Sequence, residues 1–250
     1  MEMLKKLENN NKIVQLPLVT NKPLHLVTKV KKPKEHYIQI RNSIVLSIIE
    51  VKQEIKNTFT ILDIPIIIYW NRIEESENPC LFDLSKLIGY APSFIKRILK
   101  NSQRISLDGD QITLDDSWID SEIGNKLFDF SLFKYMKLIL QKKRKKFLPY
   151  YQLLLLYFFN QFTGKTTDKT NFDLTKIIEK MALTEMYNHY SHSVRAKEYI
   201  EIGFQLLVDV GMLKSYSISF KTKIVCVEKD ERFFTKIKPV KPKRKAKNER

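Results

Sequence analysis

Residues 82–88 read Phe-Asp-Leu-Ser-Lys-Leu-Ile, and residues 172–178 read Phe-Asp-Leu-Thr-Lys-Ile-Ile, 90 positions further along the chain. Both blocks follow one physical grammar. An extended piece is expected to end at Phe82 or Phe172. Asp83 or Asp173 can then cap a helix, its carboxylate accepting from the first free backbone N–H groups. An apolar helix face follows, with Leu84, Leu87 and Ile88 in one copy and Leu174, Ile177 and Ile178 in the other. After the first copy, Gly89 tolerates a left-handed helix end, Ala91-Pro92-Ser93 turns the chain, and a short helix is predicted over Phe94–Lys100. Then comes RISLDGDQITL, where Ile105, Leu107, Ile112 and Leu114 alternate with polar residues around Asp108-Gly109. That is a strong hairpin signal.

The second copy repeats the order. A helix is predicted from Asp173 to about Leu183, then a polar, aromatic turn (TEMYNHYSHS), then a longer helix over about 192–210 closed by Gly211. Its apolar positions are Ala196, Tyr199, Ile200, Phe204, Leu207 and Val210, at helical spacing. Tyr216, Ile218 and Phe220 alternate, as do either Ile224 and Cys226 or Val225 and Val227, across the short basic link Lys221-Thr222-Lys223. Helix, extended piece, helix, turn, helix and hairpin is the winged helix-turn-helix plan.

The leading helices of the two units fall at about 61–74 and 149–163, although Ile66-Ile67-Ile68 reads equally as a buried strand. A further helix is expected over 42–57, and an acidic connector over 115–147 ends in a helix at Leu132–Lys143. The fold class expected is α+β, mostly helical, with two tandem winged helix-turn-helix domains and basic disordered tails. The boundaries are a flexible arm at 1–35, a first winged-helix domain at 36–130, a second at 131–235 and a tail at 236–250.

Composition narrows the function. The 250 residues carry 44 Lys+Arg against 28 Asp+Glu, a net charge of +16. With 43% hydrophobic residues the chain can build cores, which excludes a wholly disordered or collagen-like protein. The positive excess points to a polyanion, most simply nucleic acid, with a membrane surface as the alternative. The longest apolar stretches, Ile64–Trp70 and Leu153–Phe159, fall far short of the ~18 residues of a membrane span. No secretory h-region opens the sequence, so a soluble, cytoplasmic protein is expected. Cys80 and Cys226 are isolated and read as buried, reduced thiols.

Nothing in the chain recommends an enzyme. Gly164-Lys165-Thr166 ends like a phosphate loop, but position 159 holds Phe159 where the motif needs glycine. His189 and His192, with Glu185 one turn earlier, lack a firm third metal ligand and read as polar residues opening a helix. The spacing also fails the His-hydrophobic-His pattern of nicking enzymes. No metal or cofactor is expected. The residues that point to chemistry are basic or polar. In the first unit they are Lys96, Arg97 and Lys100 on the second helix and Arg104 at the start of the wing. In the second they are Ser191, His192, Ser193, Arg195 and Lys197 at the start of the long helix, and Lys221 and Lys223 at the wing tip. The first turn of such a helix approaches base edges. The run Lys142-Lys143-Arg144-Lys145-Lys146 reads equally as a solvated helix end or a DNA contact.

Two tandem winged helices, the second opening with the Leu/Tyr/Phe-rich helix Leu148–Phe162, resemble plasmid replication initiators that bind repeated origin sequences (iterons). "DLTKIIEKM" and a long helix ending "LLVDVGML" before a strand are similar to the C-terminal winged helix of that family. The resemblance covers about residues 60–230, and the N-terminal arm departs from it. It implies double-stranded DNA as partner, both winged helices on DNA, and base readout mainly by residues 191–197. It further implies that a monomer opens the origin alongside host replication proteins and that a homodimer represses its own gene. The main alternative is a winged-helix transcription regulator, which a symmetric operator would favour and direct repeats would not. An adaptor that uses winged helices for protein contacts is a third reading, marked by binding without sequence preference.

Overall fold

The computed structural model describes residues 37–50, 59–74, 81, 85, 88–115, 125–162 and 168–235. The basic arm and tail, Cys80, Phe82-Asp83-Leu84, Leu87 and Gly164-Lys165-Thr166 lie outside these residues. The fold is α+β and rich in helix, with three small antiparallel sheets.

Strand β1 (Tyr37–Arg41) runs straight into helix α1 (Asn42–Glu50), which buries Ile44, Val45, Ile48 and Ile49. The ambiguous apolar run is a helix, α2 (Asp63–Glu74). A side-chain cap lies at its start: the Asp63 carboxylate accepts from the Thr60 N–H at 2.8 Å and the Thr60 hydroxyl at 2.6 Å. Both bonds run from Thr60 to Asp63, the return half of a capping box, and the Thr60 hydroxyl accepts from the Leu62 N–H at 3.3 Å. Ile64, Ile66, Ile67 and Ile68 are all fully buried, so no face was left polar to reveal the helical period.

Helix α3 (Pro92–Leu99) starts on proline and buries Ile95 and Leu99. The hairpin of β2 (Ile105–Asp108) and β3 (Gln111–Leu114) turns through Gly109, whose φ is +60°, and Asp110. Here one expectation needs correction. Leu81 is already helical rather than part of an extended piece, and β2 and β3 have no third strand among the described residues. The first N–H groups of a helix have no partner within it, and Leu81 donates instead to the Asp110 carbonyl at 3.2 Å. The expected acidic connector also holds a strand, β4 (Asn125–Asp129), which pairs with β1 from Tyr37↔Asp129 to Arg41↔Asn125.

Helix α4 (Ser131–Lys142) then lays Leu132, Phe133, Tyr135, Met136 and Leu140 into the core. Its Lys137 donates to the Gly89 carbonyl at 3.1 Å and sits 3.2 Å over the Tyr90 ring. Helix α5 (Pro149–Phe162) is buried on every side, from Tyr151 through Phe159. It packs against α1, and Gln152 donates to the Ile61 carbonyl at 2.9 Å.

The C-terminal half follows in order: β5 (Lys169–Asp173), α6 (Leu174–Lys180), α7 (Thr184–Asn188), α8 (Ser193–Asp209), β6 (Leu213–Ser219), β7 (Ile224–Lys229) and α9 (Glu231–Thr235). The three strands pair in the order β5-β7-β6. The stretch expected as a turn after Leu183 contains the short helix α7, whose Tyr187 N–H donates to the Leu183 carbonyl at 2.8 Å. Cys226 is exposed, not buried, because β7 alternates and turns Val225 and Val227 inward. Helix α8 crosses α5 closely at Gly203, where a Cβ would stand 2.7 Å from Leu154 Cδ2. Asp173 caps α6 by accepting from the Thr175 N–H at 2.8 Å. Asp173→Ala should therefore cost about 1 kcal/mol of stability in urea unfolding, and a change below a few tenths would show that the cap contributes nothing.

Candidate nucleic-acid interface

The two helix–hairpin units present different surfaces. In the first, Lys96, Arg97 and Lys100 are exposed on the side of α3 away from Ile95 and Leu99. Lys96 is committed in part, its ammonium 2.8 Å from the Asp110 carboxylate at the hairpin turn. The Arg97 guanidinium lies 5.2 Å over the Phe94 ring, which itself stacks on Tyr90. Arg104 is a correction. It is only 5% exposed, with its guanidinium 4.2 Å over the Phe59 ring. Burial pulls its pKa down, and the nearby Asp63 and Asp115 carboxylates oppose that shift. A guanidinium has a flat, weakly hydrated face that packs on aromatic rings, so Arg104 belongs to the core and cannot reach a phosphate.

In the second unit, α7 and α8 meet at a tight turn. Ser191, His192 and Arg195 are exposed there, and Ser193 and Lys197 half-buried. The histidines shape the turn. Their rings stack with centroids 4.7 Å apart, and the Ser191 N–H donates to His189 Nδ1 at 3.3 Å. No cluster of three His, Cys, Asp or Glu side chains suited to a metal occurs among the described residues. Arg195 is aimed by its own helix: its Nε donates to the Tyr199 hydroxyl at 2.7 Å. Tyr199 in turn packs on Tyr150 and Tyr151 of α5, so a core-anchored ring sets the guanidinium's direction. Lys197 leans toward the hairpin, its ammonium 5.5 Å from the Phe220 ring. Lys221 and Lys223 are exposed in the β6–β7 link, where Lys223 adopts φ +56° and the Thr222 hydroxyl lies 2.7 Å from that of Ser219.

Three features of this surface escaped the sequence reading. Tyr199 passed as a core position only, although its hydroxyl positions Arg195. Tyr190 and Val194 are 99% and 77% exposed beside the basic cluster. The helical period carried a signal for Val194, since two residues before buried Ala196 is about 200° around the helix, on the outward face.

Beyond its first turn that outward face is acidic, with Glu198 and Glu201 exposed. The basic run after α4 answers this charge. Lys145 lies 2.7 Å from Glu198, and Lys143 lies 2.7 Å from Asp209. The hydrogen bond from Lys145 holds the Glu198 carboxyl below its usual pKa. Two lysines of the run thus form solvent-exposed ion pairs, each of them individually weak. Lys142, Arg144 and Lys146 remain exposed. The positive surface of α8 is therefore confined to its N-terminal turn and the adjoining hairpin tip.

No helix among the described residues is long and apolar enough to cross a membrane. No protein-family model and no curated protein match the chain. Among solved structures, the fold is similar to that described as the crystal structure of Pi initiator protein in complex with iteron DNA. The two share 12% identity with a TM-score of 0.46, and the alignment covers 80% of this chain and 99% of that one.

Proposed function

We propose that this protein binds double-stranded DNA sequence-specifically and starts plasmid replication by occupying repeated origin sequences, without a catalytic site or cofactor of its own. The observation that carries the reading is the start of α8. A polar, basic helix N-terminus carries exposed Arg195, and the hairpin tip, whose Phe220 ring lies 5.5 Å from the Lys197 ammonium, carries exposed Lys221 and Lys223. The element order of the C-terminal half and its β5-β7-β6 pairing support a winged-helix reading. In that arrangement the long helix enters the major groove with its first turn against base edges, and the wing tip meets phosphate or the minor groove. The free N–H groups of that turn add partial positive charge. Helix α3 with Arg97 and Lys100 makes a second, different contact.

Two unlike reading heads in one chain suit an asymmetric site repeated in one direction. A repressor of two-fold symmetric operators sets the same helix from two subunits on each half-site. That asymmetry favours an initiator over a transcription regulator. Host replication proteins and a homodimer remain partners within this proposal.

The test is a comparison of affinities. A duplex enriched from a random library by the full chain is measured against its scrambled version. Arg195 can donate two hydrogen bonds to guanine O6 and N7, a contact that discriminates by about 1–3 kcal/mol. Arg195→Ala should therefore weaken the selected site roughly tenfold or more and leave scrambled DNA nearly unchanged. Replacing Lys221 and Lys223 together should weaken both duplexes alike. Equal losses on both duplexes for Arg195→Ala would make it a backbone contact and move the readout to α3. Direct repeats of the selected site that support replication of a small replicon would establish the initiator role, and a palindromic site would sink it.

A further inference from the structure

Val194 is the exposed apolar residue of α8, in a helix whose outward positions are otherwise charged or polar: Arg195, Glu198, Glu201 and Gln205. It is the second residue of the helix, immediately before Arg195, and points away from the face where Ala196, Ile200 and Phe204 enter the core. Nothing in the packing asks for valine there. A β-branched residue is also a poorer helix former than alanine. Its neighbours in the same stretch of helix include Arg195 and Lys197, so the surface it shares complements a polyanion. An apolar methyl pair inside such a surface has one matching feature on duplex DNA, the thymine 5-methyl group in the major groove.

We infer that Val194 reads a thymine methyl next to the base contacted by Arg195, making A·T against G·C discrimination at that position a property of this side chain. The inference rests on the DNA-binding reading above and deepens it. It identifies one recognised group, a methyl, and not only a charge pattern. The exposed Tyr190 in the preceding turn stands outside it, because its ring has no counterpart fixed on the same helix face.

The experiment replaces thymines one at a time by uracil in the library-selected duplex, which removes only the methyl. Burying one methyl contributes about fourfold in affinity at ~0.8 kcal/mol. The native chain should lose about that factor at one thymine. Val194→Ala should lose the same factor on the unmodified duplex and become indifferent to uracil at that thymine. Its melting temperature should not fall, since the side chain is exposed. A Val194→Ala variant that binds as tightly as the native chain would overturn the inference, and so would one that keeps the native sensitivity to uracil. Should the native chain show specific binding but no uracil-sensitive thymine, this inference fails and the DNA-binding reading stands. Should selection enrich no sequence at all, both fail.

Discussion

Raising the salt from about 50 mM to about 200 mM should weaken duplex binding by roughly a thousandfold. The cations counted for it on α3, α8 and the hairpin tip are Arg97, Lys100, Lys197, Lys221 and Lys223, none of which has an acidic partner within ion-pair distance among the described residues. Each phosphate neutralised releases condensed counterions, so log K falls against log salt with a slope of about −0.9 per contact. Five contacts predict a slope of about −4.5. Arg104 adds nothing because it is inside, and Lys143 and Lys145 add little because their charge is spent on Asp209 and Glu198. A titration at four or five salt concentrations gives the slope directly. A slope shallower than about −2 would mean the surface described here does not meet the DNA backbone. Replacing Lys221 and Lys223 should reduce the slope by about 2.

The second large effect lies in the core. Phe158 is fully buried on α5, and its ring meets those of Tyr157, Phe162, Phe172 and Phe204 at centroid distances of 5.1–5.6 Å. It joins the three elements that hold the long helix: α5 itself, β5 through Phe172 and α8 through Phe204. Phe158→Ala removes most of a ring from the centre of this stack, and the neighbours cannot close the space. The expected loss is about 3–5 kcal/mol in urea unfolding. Phe158→Leu should recover a large part of it, because volume and apolar character are mostly restored. Phe172→Ala should cost less, since Phe172 is half-buried at the sheet edge of the same cluster. An alanine variant at 158 within ~1 kcal/mol of the native chain would show that α8 is not anchored through this ring.

Much of the C-terminal unit was legible because its signals are local. Asp173 caps its helix two residues away, and Gly211 closes α8 with φ +80°. Each of these depends on groups within a turn or a strand pair, so residue type and spacing suffice. The hairpin at Gly109 was readable for the same reason, with the turn one position later than Asp108-Gly109 suggested.

The candidate site was less legible. Arg104 and Arg97 look alike in sequence, and only the position of Phe59, 45 residues earlier, puts one inside and leaves the other out. Lys143 and Lys145 read as free cations until α8 folds back to bring Asp209 and Glu198 within 2.7 Å.

By itself the sequence determined that a helix runs into a hairpin at the end of both units, the cap at Asp173 and the basic start of α8, since these follow from backbone groups satisfied by close neighbours. Tertiary structure alone decided that residues 64–68 are helix, that β1 pairs with β4, and which cations stay in solvent. An apolar run buried all round has no periodicity to read, and the burial or pairing of a charge depends on residues that only the folded chain brings together.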